Sequence, residues 1–490
     1  MGDSADDQTG PLSAPADAGT GLDMVEIAAD GDLVLDVTFD TSNETLRAAR
    51  RAAKSRPGRQ AADASTLPAL KPRVRRGYRV QLAVLKQNSK YFDNLLSDTR
   101  FAEARSIEAA FERLSMNNVK PSEADVTQLP VVRIREDDEA TQSAGLEPVF
   151  ADMLRILHRK QSTARAPTMH NLAVLAVLAD RFGCTAAVSR YLNALKYKWP
   201  ATQTSLSKEG GGAALTAAAE ETLRQKILVS WLLDQPLKMH AATRELILYG
   251  SRRWSAFGEE DTNKAVWWEL PDDLENELRH RRDCILNTIA SVQRHFIQLY
   301  SSRTQQCTLG YGSSSSCDSY QLGQMVKFFI SRNLLFLVDF SPKSMDSIQD
   351  YATVSIPHII ATLRQCPSYQ VDTNHHNCGL RTRILPILDR IQALLSSNIV
   401  SVSRPAWGKD REAASWCRRG ASDGGEPREF RFTRAMAGNQ SMQFEGAMGV
   451  DRLARELFTA DRWDWTAEDR EEPREPGLGK WNTPTLGRHV

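Results

Sequence analysis

No run of apolar residues in this 490-residue chain is long and clean enough to cross a membrane. The best window, Leu322 to Phe340, is interrupted by Lys327, Arg332 and Asp339, and a span needs about 20 consecutive apolar residues. It reads as a core helix. Charge of one sign is missing too: 62 Lys and Arg face 61 Asp and Glu. A net charge of +1 exerts no whole-chain pull toward nucleic acid or an acidic membrane. The opening MGDSADDQTG has no apolar segment, so no secretory leader is expected there. Asp6 stands where a myristoylation signal needs Ser or Thr. Cysteine is scarce and odd in number, seven in all. Without a secretion signal, that usage implies reduced thiols and an intracellular chain, cytoplasmic or nuclear.

Signatures of catalysis are sparse as well. Neither His-Glu-x-x-His nor a complete phosphate-binding loop occurs. The one Gly-x-Ser-x-Gly match, Gly420 to Gly424, lacks the strand before and the helix after that a nucleophile elbow requires, and reads as chance. Gly310-Tyr311-Gly312 lacks the third glycine of a dinucleotide loop. Gly477-Leu478-Gly479-Lys480 lacks the early glycine of a phosphate loop and runs into Trp481. With no two-Cys, two-His finger and no basic zipper, direct DNA binding has no motif behind it.

What remains is a chain that can bury a core. Hydrophobic residues make up 41% and charged residues 25%, with room for two or three domains. Residues 1–24 are polar and expected to be disordered. In Asp32 to Phe39, Leu33, Leu35, Val37 and Phe39 share one face of a half-buried strand. Tyr78, Val80 and Leu82 alternate with Arg79 and Gln81 in a second strand. A short helical turn with Val84 and Leu85 follows, broken at Asn88. Ser89 then caps a helix placing Phe92, Leu95 and Leu96 on one face.

This order, closing on Phe101-Ala102-Glu103, resembles the BTB/POZ domain. The resemblance implies an α+β fold in which a small sheet is covered by helices, with the strand at 32–39 paired to the strand at Tyr78. It extends over 25–200 through a strand at Leu129 to Arg135 and three helices. Those helices bury Phe150, Met153, Leu154 and Leu157; then Met169, Leu172, Leu175, Ala176 and Ala179; then Ala187, Tyr191, Leu192 and Leu195. Gly183 is placed for a left-handed cap between the last two. Two inserts depart from the family's pattern, a basic one at 41–76 and a polar one at 105–128. The basic insert holds ten Lys and Arg against Glu44 and Asp63. It reads as a nuclear-import signal, an acidic-partner site or a solvated loop. The family's function is protein binding: self-association, or recruitment of a cullin-type ubiquitin ligase scaffold through a hydrophobic-x-Glu motif. Phe101 and Glu103 stand at the matching place, unless Phe101 only closes the core.

After a linker at 201–220, residues 221–416 are expected to form an all-helical domain. Its apolar faces include Leu228, Trp231 and Leu232, and later Leu274, Leu278, Ile285, Ile289, Val292 and Phe296. The longer 25–416 arrangement resembles long BTB-domain proteins of filamentous fungi. Within it, Cys307 and Cys317 flank one loop, and Cys366 and Cys378 flank another that holds His375 and His376. Four thiols and two imidazoles at the ends of two loops can make one tetrahedral zinc site. The competing reading is buried thiols acting as small hydrophobes. Four protein ligands would make such a site structural. Three ligands with an open cleft would fit a metal-dependent enzyme, the alternative to a non-enzymatic adaptor. Residues 417–490 are expected to be mostly disordered, with a short helix near 450–459. There Trp463, Trp465 and Trp481 make either a docking motif or nothing selected.

Overall fold

The alternation at 32–39 and the run before Leu82 do meet in one sheet. In the computed structural model, β1 (Met24–Glu26), β2 (Leu33–Asp40), β3 (Arg73–Val80) and β4 (Val131–Asp137) lie in the order β1-β3-β2-β4. The structure describes residues 22–54, 70–163, 167–200, 217–250, 265–307, 314–332, 355–375, 378–417, 427–433 and 440–466, with a few single positions between them. The chain divides into two units, Met1–Lys198 and Trp199–Val490. The first is α+β and the second mostly helical.

In the first unit β2 pairs antiparallel with β3, setting Leu35 opposite Tyr78, and parallel with β4, setting Leu35 opposite Val132. Helix α1 (Asn43–Lys54) lies between β2 and β3 in the chain. Helices α2 (Leu82–Asn88), α3 (Lys90–Ser97) and α4 (Ala102–Met116) precede β4. Helices α5 (Glu147–Leu157), α6 (Met169–Arg181) and α7 (Thr185–Ala194) follow it. Ser89 caps α3 as its sequence position predicts, accepting from the Phe92 N–H at 3.1 Å. Its hydroxyl also donates to the Phe182 carbonyl at 2.6 Å, tying α3 to the end of α6. Phe92 stacks on Phe182, which meets Phe150 edge-on, and Phe150 packs against Phe39 and Tyr78. Strand alternation supplies Phe39 and Tyr78 to this ring cluster, helical spacing supplies Phe92 and Phe150, and Phe182 comes from the C-cap of α6. Gly183 has φ +58°, the left-handed geometry expected of the cap after α6.

Several expectations need correction. Residues 1–21 lie outside the described residues, but 22–24 are ordered, and Met24 pairs with Gly77 at the start of β1. The basic 41–76 segment is not one loop. It contains α1 and the first half of β3, while 55–69 lie outside the described residues. The first half of the 105–128 segment belongs to α4, whose Ala104, Ile107, Ala110 and Leu114 are buried. Its charged residues occupy the outer face, and that made an amphipathic helix look like a polar insert. Leu95 is only half-buried, as is Tyr191, and Leu195 is exposed.

The second unit begins inside the expected linker, with α8 (Ala217–Leu232). Trp231 and Leu232 are half-buried there, and Pro236 opens α9 (Pro236–Tyr249). Helix α10 (Leu274–Ser301) is the longest element and buries all six apolar positions expected of it. It also buries charge that hydropathy could not place inside. Arg224 sits between Glu220 and Glu275, and Arg281 pairs with Glu277 at 2.6 Å. Arg281 further donates to the carbonyls of Ile399, Ser401 and Ala414. Helices α11 (Ser314–Ser331), α12 (Ile356–Arg364) and α13 (Leu380–Leu394) follow.

The described elements of 221–416 are all helices, whereas the tail beyond 416 is not wholly disordered. Strands β5 (Glu429–Arg431) and β6 (Arg462–Asp464) pair in parallel on either side of α14 (Gln440–Phe458) in the chain. Trp465 is buried and its indole N–H donates to the Ser291 hydroxyl of α10 at 3.0 Å, which removes it as a free docking motif. Trp463 donates to the Leu457 carbonyl. Trp481 and the Gly420 to Gly424 match lie outside the described residues.

Candidate metal centre

Two short segments supply the chemistry, each held by an element beside it. Cys307 follows α10 in an extended loop, and Cys317 stands in the first turns of α11. His375 ends a single 3-10 turn, Thr373–His375, and Cys378 lies two residues before α13. The Asp318 carboxylate, one residue past Cys317, accepts from the backbone N–H groups of Gln306 and Cys307 at 2.7 and 3.0 Å. Arg383 of α13 donates to the carbonyl and side chain of Gln306. The Tyr300 hydroxyl at the end of α10 donates to the Cys378 carbonyl at 2.9 Å. Gln321 of α11 donates to the Tyr369 carbonyl at 2.9 Å. Each donor-bearing segment is therefore tied to a helix that it does not itself belong to.

The result is one cluster. The Sγ atoms of Cys307, Cys317 and Cys378 and a ring nitrogen of His375 all lie within 4.8 Å of one another. Cys307 Sγ is 3.6 Å from Cys378 Sγ and 3.4 Å from His375 Nδ1. Tetrahedral zinc bonded to sulfur and imidazole nitrogen requires sulfur–sulfur edges of about 3.8 Å and sulfur–nitrogen edges of about 3.5 Å. The two edges at Cys307 are of that size, and the remaining ones are no longer than 4.8 Å. Cys307, Cys317 and His375 are buried and Cys378 is half-buried. His375 Nε2 lies 3.8 Å from the Asp372 carboxylate, near it but beyond hydrogen-bond length. A Cys3His set of this kind can hold a metal ion such as zinc.

The electrostatics show what the thiols experience without a cation. Burial, and then the negative charge of the Cys378 and Cys307 thiolates, pushes Cys317 up to about 12. Burial and Cys307 also raise Cys378, with Arg383 opposing. Burial works to raise Cys307 too, but hydrogen bonding around its sulfur outweighs that and holds its pKa below the usual thiol value. Three thiols crowded in this way favour a bound cation, whose charge offsets theirs.

One of the six residues expected at the site, Cys366, is not part of this cluster. Cys366 is buried just after α12, where its N–H donates to the Leu363 carbonyl and its thiol faces the Pro367 carbonyl at 3.7 Å. Burial raises its pKa to about 11. It is a small hydrophobe at a helix end, the competing reading for this thiol. His376 lies outside the described residues. The residues at the other proposed site are placed differently. Phe101 is the N-cap of α4 with 44% of its surface exposed, and Glu103 is half-buried in the first turn. Phe101 does not close the core.

Sequence reasoning paired Cys366 with Cys378 because both are thiols at loop ends. The sharper signal was His375-x-x-Cys378, the tight two-residue spacing common in zinc sites. In the comparisons with known proteins, the chain matches no family model, no curated protein and no solved structure.

Proposed function

We propose that this chain is a non-enzymatic protein-interaction protein, with a BTB-like adaptor module in its first unit and a helical second unit pinned by structural zinc. The observation that carries the reading is the surface position of Phe101-Ala102-Glu103 at the head of α4. It follows a strand pair and two short helices in the order that the family resemblance implies. The aromatic ring stands free to enter an apolar notch on a partner, and the carboxylate two residues on can accept hydrogen bonds at the notch rim.

Zinc serves stability in this reading. Cys307, Cys317, His375 and Cys378 would fill the four positions of a tetrahedral zinc and leave none for substrate or water, as in structural rather than catalytic sites. The partner of the first unit is a cullin-type scaffold or a second copy of the module. The test is a titration of the full chain against a cullin N-terminal domain. Wild type binds at micromolar concentration, and Phe101→Ala and Glu103→Lys each weaken binding at unchanged circular dichroism. No binding at tens of micromolar removes the scaffold. Sedimentation then decides between self-association and neither.

A further inference from the structure

Among the ten basic residues of 41–76, those on β3 and those on α1 differ in their partners. Those on the sheet are matched: Arg73 pairs with Asp40, Arg75 with Asp36, and Arg76 with Asp23. Those on α1 are not. Arg47, Arg50 and Arg51 are exposed, and among the described residues none has an acidic side chain within ion-pair reach. They fall at i, i+3 and i+4, on one helical face, and Lys54 continues the series in the sequence.

The helix is anchored so that this face is presented. Thr45 and Leu46 are buried, Thr45 on the side of the helix away from the arginines. The Ser42 backbone N–H and hydroxyl both donate to the Asp138 carboxylate at 3.0 Å, and the Thr45 N–H donates to the Ser42 hydroxyl. Like charges three and four apart on a helix repel, so the stripe works against the helix that carries it. A local rule broken on a pinned, solvent-facing element marks a binding surface.

We infer that this face binds the phosphate backbone of nucleic acid without reading its sequence. A protein partner would need apolar anchors at the centre of the contact. The exposed large apolar side chains of this unit, Tyr91, Phe101, Met116, Val131 and Leu195, all lie outside α1. Between Arg47 and Arg50 stand only Ala48, exposed, and Ala49, half-buried, so nothing bulky holds a charged backbone away. A step of i to i+4 advances about 6 Å, a little under two charge spacings of a strand that carries one every 3.4 Å or so.

The test uses the full chain and fluorescence anisotropy of a labelled DNA duplex of about 20 base pairs, titrated between 50 and 200 mM KCl. Three phosphate contacts weaken binding about 40-fold over that range. Replacing Arg47, Arg50 and Arg51 together by Gln removes that salt dependence, and replacing all three by Lys keeps it. The inference is overturned by absence of binding at 50 mM or by an unchanged salt slope in the Gln variant. Tighter binding to labelled polyglutamate than to duplex also overturns it, and assigns the face to an acidic protein.

Discussion

The Cys307 backbone N–H donates to the Asp318 carboxylate at 3.0 Å. Asp318 directly follows Cys317, so one turn of α11 both carries a donor of the candidate centre and holds the loop that carries another. The two thiols are positioned by a single carboxylate that touches neither sulfur.

Asp318→Ala should therefore lower zinc affinity about 10–100-fold, the usual cost of losing a group that orients a ligand. Helical content should be unchanged. Competition against a chromophoric chelator measures the affinity. An unaltered value would mean that the loop is held by Arg383 alone.

Purified protein should carry about one zinc per chain. Cys307→Ser, Cys317→Ser and Cys378→Ser should each lose most of it, whereas Cys366→Ser should retain it. At free zinc a thousandfold above Kd, the metal stabilises the fold by about 4 kcal/mol, so chelation should lower Tm clearly. Metal analysis beside a thermal melt checks both, and zinc lost in the Cys366 variant would contradict the geometry.

In the first unit, Phe92→Ala should cost about 3–5 kcal/mol and Leu96→Ala about 2–5 kcal/mol. Leu95→Ala should cost less, because that side chain is only half-buried. Urea titration of the three variants gives the ranking, and a Leu95 effect as large as that of Leu96 would argue against the observed packing.

The buried pair of Glu277 and Arg281 gives a pH prediction. Burial works to raise the Glu277 carboxyl, but Arg281, the Ser415 hydroxyl and the Trp416 N–H outweigh it and hold its pKa below the usual carboxylate value. A depressed folded-state pKa contributes stability above the unfolded value of about 4.3, lost as pH falls through the folded value. Glu277→Gln should cost about 3–5 kcal/mol at neutral pH by leaving Arg281 buried without its carboxylate. The gap from wild type should narrow only below about pH 4. Denaturation series at several pH values test this, and a gap that closes by pH 6 would refute it.

Trp465→Ala should destabilise the second unit by about 3–5 kcal/mol. An unburied docking residue would leave the melting temperature alone, so a thermal melt separates the two roles.

How much the sequence revealed depended on where periodicity carried the information. The alternation in 32–39 and the Ser89 cap were legible because a strand face and a capping hydroxyl each have a local cause. Helix α4 was not, since its buried face is built largely of small residues, Ala104 and Ala110 beside Ile107 and Leu114, and charge dominates its count. The ordered tail was hidden because its few apolar residues gain their meaning only from α10, as Trp465 does from Ser291. For the centre, the two loops were found but the donors within them were only partly right. Thiol pairing by type favoured Cys366, and only the fold shows that its sulfur faces Pro367.

The donors of the centre also have a topological effect. Cys307 and His375 lie 68 residues apart in the chain. An ion that binds both acts as a removable crosslink across that stretch. A covalent link closing a loop of this length limits the unfolded chain by about 4 kcal/mol. A disulfide of equal reach depends on an oxidising surrounding, but a metal clip does not. Staple strength in the second unit would then follow the supply of an ion, and its resistance to proteolysis would rise and fall with it.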